Sequence, residues 1–247
     1  MCGRYQLVIP ADELAALFAL DEVPDAFPPR YNIAPTQPVH VVHRAADGAR
    51  RADLMRWGLL PSWVKDPKAF PLIINGRSET AADKPAFRNA LRRRRVLLPA
   101  SGFYEWARDG AVKQPYLFTA ASPVALAGVY ETWMGPNGEE MDTVAVLTGA
   151  ATGVPARYHD RMPLTVPAAA WGRWLDPAED NGAEALTWTE RAAYEARPVS
   201  RRLSNARNEG AGLMDAHDDA AGPPPKPSTR RKGDDAPADE GVQPRLL

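Results

Sequence analysis

Cys2 follows Met1 directly, and so small a side chain in second place generally permits the methionine to be cut away, which leaves Cys2 as the amino terminus. An amino-terminal cysteine carries an α-amine titrating near about 7.7 to 8.0 beside a thiol near about 8.5, so part of the amine is free to attack near neutrality. That amine forms a Schiff base with an aldehyde, and the neighbouring thiol then closes a five-membered thiazolidine, a covalent capture of the carbonyl. A cysteine at the start of a strand also serves as a small buried hydrophobe, and position alone does not separate the two uses.

Three further islands carry groups suited to chemistry. In LIINGRSET an apolar strand over Leu72 to Ile74 ends at Asn75, Gly76, Arg77, Ser78 and Glu79, where side chains can enter a cleft; an ordinary turn with Ser78 capping a helix is the plain alternative. LLPASGFYEWAR sets Glu105 between Tyr104 and Trp106. A carboxyl walled by aromatics has a raised pKa and can exchange protons near neutrality, whereas the same residue on the outer face of a strand is a solvated carboxylate. RYHDRMP puts His159 beside Asp160 and Arg161, ahead of a proline that favours irregular backbone. Adjacency in sequence does not place His and Asp on one face, so from these residues alone a lone surface histidine is the favoured reading.

The remaining signals are weaker. Trp57 and Trp63 bracket WGLLPSW, which suits either a base-stacking platform or core packing. Arg92 to Arg95 follow a helix, where they complement its dipole. Arg4, Arg77 and Arg161 each neighbour a reactive island. With four histidines and one cysteine at no ligand spacing, and with His40 and His43 facing opposite sides of a strand, no metal site is expected. Gly-rich phosphate loops are absent, no cofactor is expected, and one cysteine excludes an intramolecular disulfide.

The elements that must position these groups follow from pattern. A chain of 247 residues and 26.9 kDa suits one large domain or two small ones. No apolar run approaches the roughly 20 residues of a membrane span, and Asp12 and Glu13 interrupt any secretory core, which predicts a soluble cytoplasmic protein, nucleoid-associated if bacterial. Net charge is −1, and setting aside residues 215–247 leaves 25 basic and 24 acidic residues, so any anion-binding face is local. Arginine dominates the basic residues, which suits phosphate forks or reflects codon bias. Residues 215–247 are rich in Pro and mixed charge and predict a disordered tail on a domain of residues 2–214. Helical spacing appears in ADELAALFAL, KPAFRNALRRR and PAAAWGRWL. Short β-like runs appear at 39–43, 72–74, 96–98, 116–119, 125–129 and 143–147. The sum is an α+β fold of mostly antiparallel, twisted, barrel-like sheet with a few flanking helices.

In this order, MCGRY, RYNIAPTQ, WGLLPSW, INGRSETA, LLPASGFYEW, YHDRMP and RPVSRRLSNARNEG resemble the SOS response-associated peptidase (SRAP) family of abasic-site processing proteins, over roughly residues 2 to 212. Two departures are Gly76, where alanine is common, and TGAATG at 148–153, barer of polar groups than usual. The resemblance implies an SRAP-like fold and covalent trapping of abasic sites in single-stranded DNA, whose ring-opened sugar offers an aldehyde. It implies Cys2 as nucleophile, Asn75 orienting the amine or a sugar oxygen, Glu105 as general acid/base and His159 assisting at the sugar. It also implies Arg4, Arg77 and Arg161 as phosphate contacts, with Pro35, Trp63 and Thr148 along the strand. The family name adds a self-processing peptidase that removes Met1. A monomer is the expected state. An amino-terminal cysteine peptidase or amidohydrolase using the same groups, and a noncovalent single-strand binding module, are the competing readings.

Overall fold

A computed structural model describes residues 2–109, 112–179 and 182–215. Met1 and, apart from Asp215, the expected tail lie outside the described residues. In chain order the first half holds β1 (Tyr5–Leu7), α1 (Ala11–Phe18), β2 (Arg30–Ile33), β3 (Pro38–Arg44), β4 (Arg50–Trp57), β5 (Asn75–Arg77), α2 (Ser78–Ala81), α3 (Arg88–Arg93) and β6 (Arg95–Ala100). Then follow β7 (Gly102–Asp109), β8 (Val112–Thr119), β9 (Val124–Met134), β10 (Glu140–Ala150), β11 (Arg161–Pro163), α4 (Trp171–Leu175), α5 (Gly182–Ala185) and β12 (Glu195–Pro198).

Strands β4, β3, β6, β9 and β10 pair antiparallel in that order, and β10 returns to β4 in parallel at Thr143 opposite Arg56, closing a five-stranded barrel. Closure removes the open edges that would invite pairing with another chain. The outer half of β10 is then used twice more. On one side β5 runs parallel to it, with Asn75 opposite Val146 and Arg77 opposite Thr148; on the other, β11 is antiparallel, with Met162 opposite Gly149. A second, antiparallel sheet in the order β12-β8-β7-β1-β2 packs on the barrel. The main core lies between them and includes Cys2, Tyr5, Trp57, Phe103, Phe118 and Leu147. Residues 143–149 of β10 are all buried, because both faces of this strand are covered, which explains its unbroken apolar run.

Helix α1 buries Leu14 and Phe18 and ends at Ala19, in the left-handed conformation at φ 48°. Phe18 stacks on Trp171 with ring centroids 4.8 Å apart. Burying such a phenyl ring contributes roughly 2 to 3 kcal/mol. On α4, Trp174 donates its indole N–H to the Val96 carbonyl at 2.9 Å, which docks this helix on β6. Arg95 is buried at the same joint, and its guanidinium donates to the carbonyls of Leu91, Arg92, Trp174 and Asp176.

The α+β, barrel-like, mostly antiparallel architecture agrees with the reading of the sequence. Some elements fall elsewhere. The run at 72–74 forms only one bridge, Leu59 to Ile73, and the strand proper is Asn75–Arg77, since it is these polar residues that meet β10. Ser78 is the first residue of α2 and Arg77 its cap, without a side-chain capping bond. The helix in KPAFRNALRRR shortens to α3, and PAAAWGRWL divides into a 3-10 turn at Ala168–Ala170 and α4.

Candidate active site

Cys2 lies just ahead of β1, fully buried at the seam between the second sheet and the barrel. Asn75 reaches it across the seam, its Nδ2 donating to the Cys2 carbonyl oxygen at 2.9 Å. Asn75 is in turn set by the barrel. The preceding carbonyl, of Ile74, accepts from the Trp57 indole and from the Val146 N–H, both at 3.0 Å, so β5 is fastened from two sides. Gly76 explains itself here: a Cβ would stand 3.0 Å from both Leu147 and Phe87, too close for alanine without a shift of the neighbours. The Asn75 Oδ1 is buried without a hydrogen-bond partner among the described residues.

Glu105 lies on β7 and is 7% exposed. Burial pushes its carboxyl up to about 7, and the Asp160 carboxylate adds to the shift. The direction agrees with the sequence, but the wall does not. Side chains alternate along a strand, so Tyr104 and Trp106 point to the opposite face of β7, where they pack with Leu117, Val199, Leu203 and Leu213. What dries Glu105 is the packing of the two sheets. Burial first and the Glu105 charge second push the Cys2 thiol up to about 12, while the Arg4 backbone N–H pulls it the other way. The thiol is therefore protonated at neutral pH, and the carboxyl is poised between its two forms.

His159 follows a 3-10 turn at Pro155–Arg157. Its neighbour Tyr158 anchors the segment, packing on Tyr116 at 4.7 Å and edge-on to Phe118 at 5.1 Å. The His159 Nδ1 accepts from the Arg161 backbone N–H at 2.9 Å and lies 2.7 Å from Asp160 Oδ1. Burial lowers its pKa, with Asp160 opposing, so the ring is weighted toward the neutral form.

Arg161 is held by two partners. It donates to both carboxylate oxygens of Glu79 at 2.8 Å and to the Thr148 carbonyl at 2.5 Å. These hydrogen bonds hold Glu79 below the usual carboxylate range. Thr148 is buried, and its hydroxyl donates to the Gly76 carbonyl, so β5, β10, β11 and α2 are knotted together beside Asn75. Arg77, at the end of β5, is exposed. Pro35 leads a tight turn in which the Gln37 N–H donates to Ala34 and Thr36 takes φ 74°, the geometry of a type II turn that usually places glycine there. The turn is pinned by the Thr36 N–H on the Trp57 carbonyl at 2.7 Å. Trp63 is 59% exposed on the loop after β4, edge-on to Phe70 at 5.5 Å. Arg4 belongs to the other face of the second sheet: it donates to Asn32 Oδ1 and the Leu203 carbonyl and lies over the Trp106 ring.

The fold thus brings Cys2, Asn75 and Glu105 together, with Thr148, His159 and Arg161 alongside, and turns the Arg4 side chain to the other face of the second sheet. Sequence reasoning missed the role of Glu79, although the residue stands in a quoted island. It also missed Tyr5 and Tyr194; the segment around Tyr194 carries no pattern that would reveal it. Among the described residues no group of three His, Cys, Asp or Glu side chains could hold a metal ion, and no helix is long and apolar enough to cross a membrane.

Residues 1–206 match the family model for SOS response associated peptidase (SRAP). The chain is 34% identical over 226 residues to the abasic site processing protein YoqW of Bacillus subtilis, covering 88% of this chain and all of that one. It is 31% identical to the abasic site processing protein YedK of Escherichia coli, covering 87% and 99%. A crystal structure of a protein from Bacteroides thetaiotaomicron shares the fold with a TM-score of 0.76 at 20% identity, over 87% of this chain and all of that one.

Proposed function

The chain belongs to the SOS response associated peptidase (SRAP) family, and from that premise we propose that it captures abasic sites in single-stranded DNA through a thiazolidine on Cys2. The observation that carries the reading is the Asn75 bond to the Cys2 carbonyl beside a carboxyl that titrates near 7. Relatives named as abasic site processing proteins supply the substrate class.

Once Met1 is removed, by the chain itself or otherwise, the Cys2 α-amine attacks the aldehyde carbon of the open sugar. Glu105, about half protonated near neutrality, takes the proton from the amine and returns it to the hydroxyl that leaves as water. His159, weighted toward its neutral form, relays protons at the sugar oxygens. The vacant Asn75 Oδ1 accepts from the amine and fixes its lone pair toward the carbon. The Cys2 sulfur then adds to the imine. Arg77 and Arg161 contact phosphates, and Pro35 and Trp63 line the strand, while the buried Thr148 holds Arg161 through its carbonyl and Arg4, turned to the other face of the second sheet, takes no part. The reaction balances without a cofactor, and a monomer suffices.

Incubation with a single-stranded oligonucleotide bearing one abasic site yields a heat-stable adduct, and Cys2→Ala abolishes it. An undiminished adduct in that variant removes Cys2 as the linker. Turnover of a peptide without any DNA adduct favours an amino-terminal cysteine peptidase instead.

A further inference from the structure

Two phenol hydroxyls beside Cys2 have no part in the chemistry described so far. Tyr5, at the start of β1, has no exposed surface, and Tyr194, just ahead of β12, is 5% exposed. Both rings are fixed. Tyr5 meets Trp57 edge-on with centroids 5.4 Å apart, and Tyr194 meets Phe103 edge-on at 5.0 Å. Tyr5 and Phe103 stand opposite one another in the β1–β7 ladder, so the two phenols belong to the same patch of the seam.

Neither hydroxyl has a hydrogen-bond partner among the described residues, although both oxygens are buried. Tyr104 shows what the fold ordinarily provides: its hydroxyl lies 2.8 Å from Gln6 Oε1 and 2.7 Å from the Tyr31 carbonyl oxygen. An unmade buried hydrogen bond costs about 1 to 3 kcal/mol. Two such costs side by side, in a fold that satisfies Tyr104, call for a partner that arrives later. Cys2 lies within electrostatic reach of both phenols.

We propose that Tyr5 and Tyr194 donate hydrogen bonds to the Cys2 sulfur while it closes the thiazolidine ring, a role that rests on the capture reading above. In that step the C–S bond forms, the S–H bond breaks, the π pair of the imine moves to nitrogen, and the thiol proton ends on nitrogen. Negative charge grows on sulfur before the proton is rehoused. A dry seam opposes such charge, and fixed O–H donors offset it without reorganising. With the Arg4 backbone N–H, which already serves the thiol, the phenols give sulfur three donors.

The test uses full-length Tyr5→Phe, Tyr194→Phe and the double variant with abasic single-stranded DNA. Borohydride trapping follows the imine, and heat-stable adduct without borohydride follows the closed ring. The imine is expected to appear at the wild-type rate while ring closure slows on the order of ten- to a hundredfold per hydroxyl. The melting temperature is expected to hold or rise, because an unsatisfied donor has been removed. Ring closure at the wild-type rate in both single variants overturns the proposal, as does equal slowing of imine and ring. Wild-type protein that forms neither adduct overturns the capture reading itself, an outcome distinct from the other two.

Discussion

Two buried polar centres of this molecule are built on opposite terms. At the α4 joint the Arg95 guanidinium donates to four carbonyls and lies within 6 Å of the Trp174 and Trp188 rings, so a costly charge is fully matched. At the Cys2 seam the Asn75 Oδ1 and the Tyr5 and Tyr194 hydroxyls have no partner among the described residues, and the Glu105 carboxyl is lifted to about 7 by burial. Burial is comparable, and satisfaction is not. The first arrangement holds an architecture, whereas the second keeps bonding capacity in reserve for a reactant.

The comparison breaks most readily at Arg95. Arg95→Ala leaves its carbonyls unmatched and opens a gap beneath two tryptophans, and is expected to cost about 3 to 5 kcal/mol in denaturant unfolding. A cost under about 1 kcal/mol would show that the joint is not the matched centre described here. Glu105 tests the other side through pH. Its folded pKa lies above the unfolded value of 4.5, so the native state binds the proton more tightly and stability falls as pH rises between 4.5 and about 7. Relative to Glu105→Gln, the wild type is expected to lose on the order of 3 kcal/mol across that window. Parallel stability curves for the two proteins would place Glu105 in solvent. The smallest stability effect belongs to Asn75→Ala, which removes one bond to Cys2 but also one orphaned oxygen. A change within about 1 kcal/mol is expected, set against at least about a tenfold slower adduct formation. A large loss of stability with normal reactivity would make Asn75 a structural residue.

How much of this was legible beforehand depended on the reach of each signal. Strands β3, β6, β9 and β10 announce themselves because covered faces demand apolar runs. Strands β1 and β2 are too short for a periodic pattern, and β4 opens with RRADL, a polar stretch of which no residue is fully buried. The islands around Cys2, Asn75, Glu105 and His159 could be found because their residue types are costly unless used. Their assembly could not, since Asn75 reaches Cys2 across 73 positions and Glu105 is dried by a sheet contact invisible in its own segment. Arg4 shows the converse. Its neighbourhood to Cys2 in sequence suggested a shared site, yet its side chain bonds to Asn32 and Leu203, residues far away in the chain.

Strand β10 joins the barrel wall, through β4 and β9, to the floor of the site, through β5 and β11. Over the stretch flanked on both sides the strand can separate only as those ladders open, which ties it to the most cooperative unit of the molecule. The reactive floor therefore has no soft hinge of its own. Flexibility needed to admit a nucleic-acid strand must come from the rim, and heat should abolish reactivity and fold in a single event.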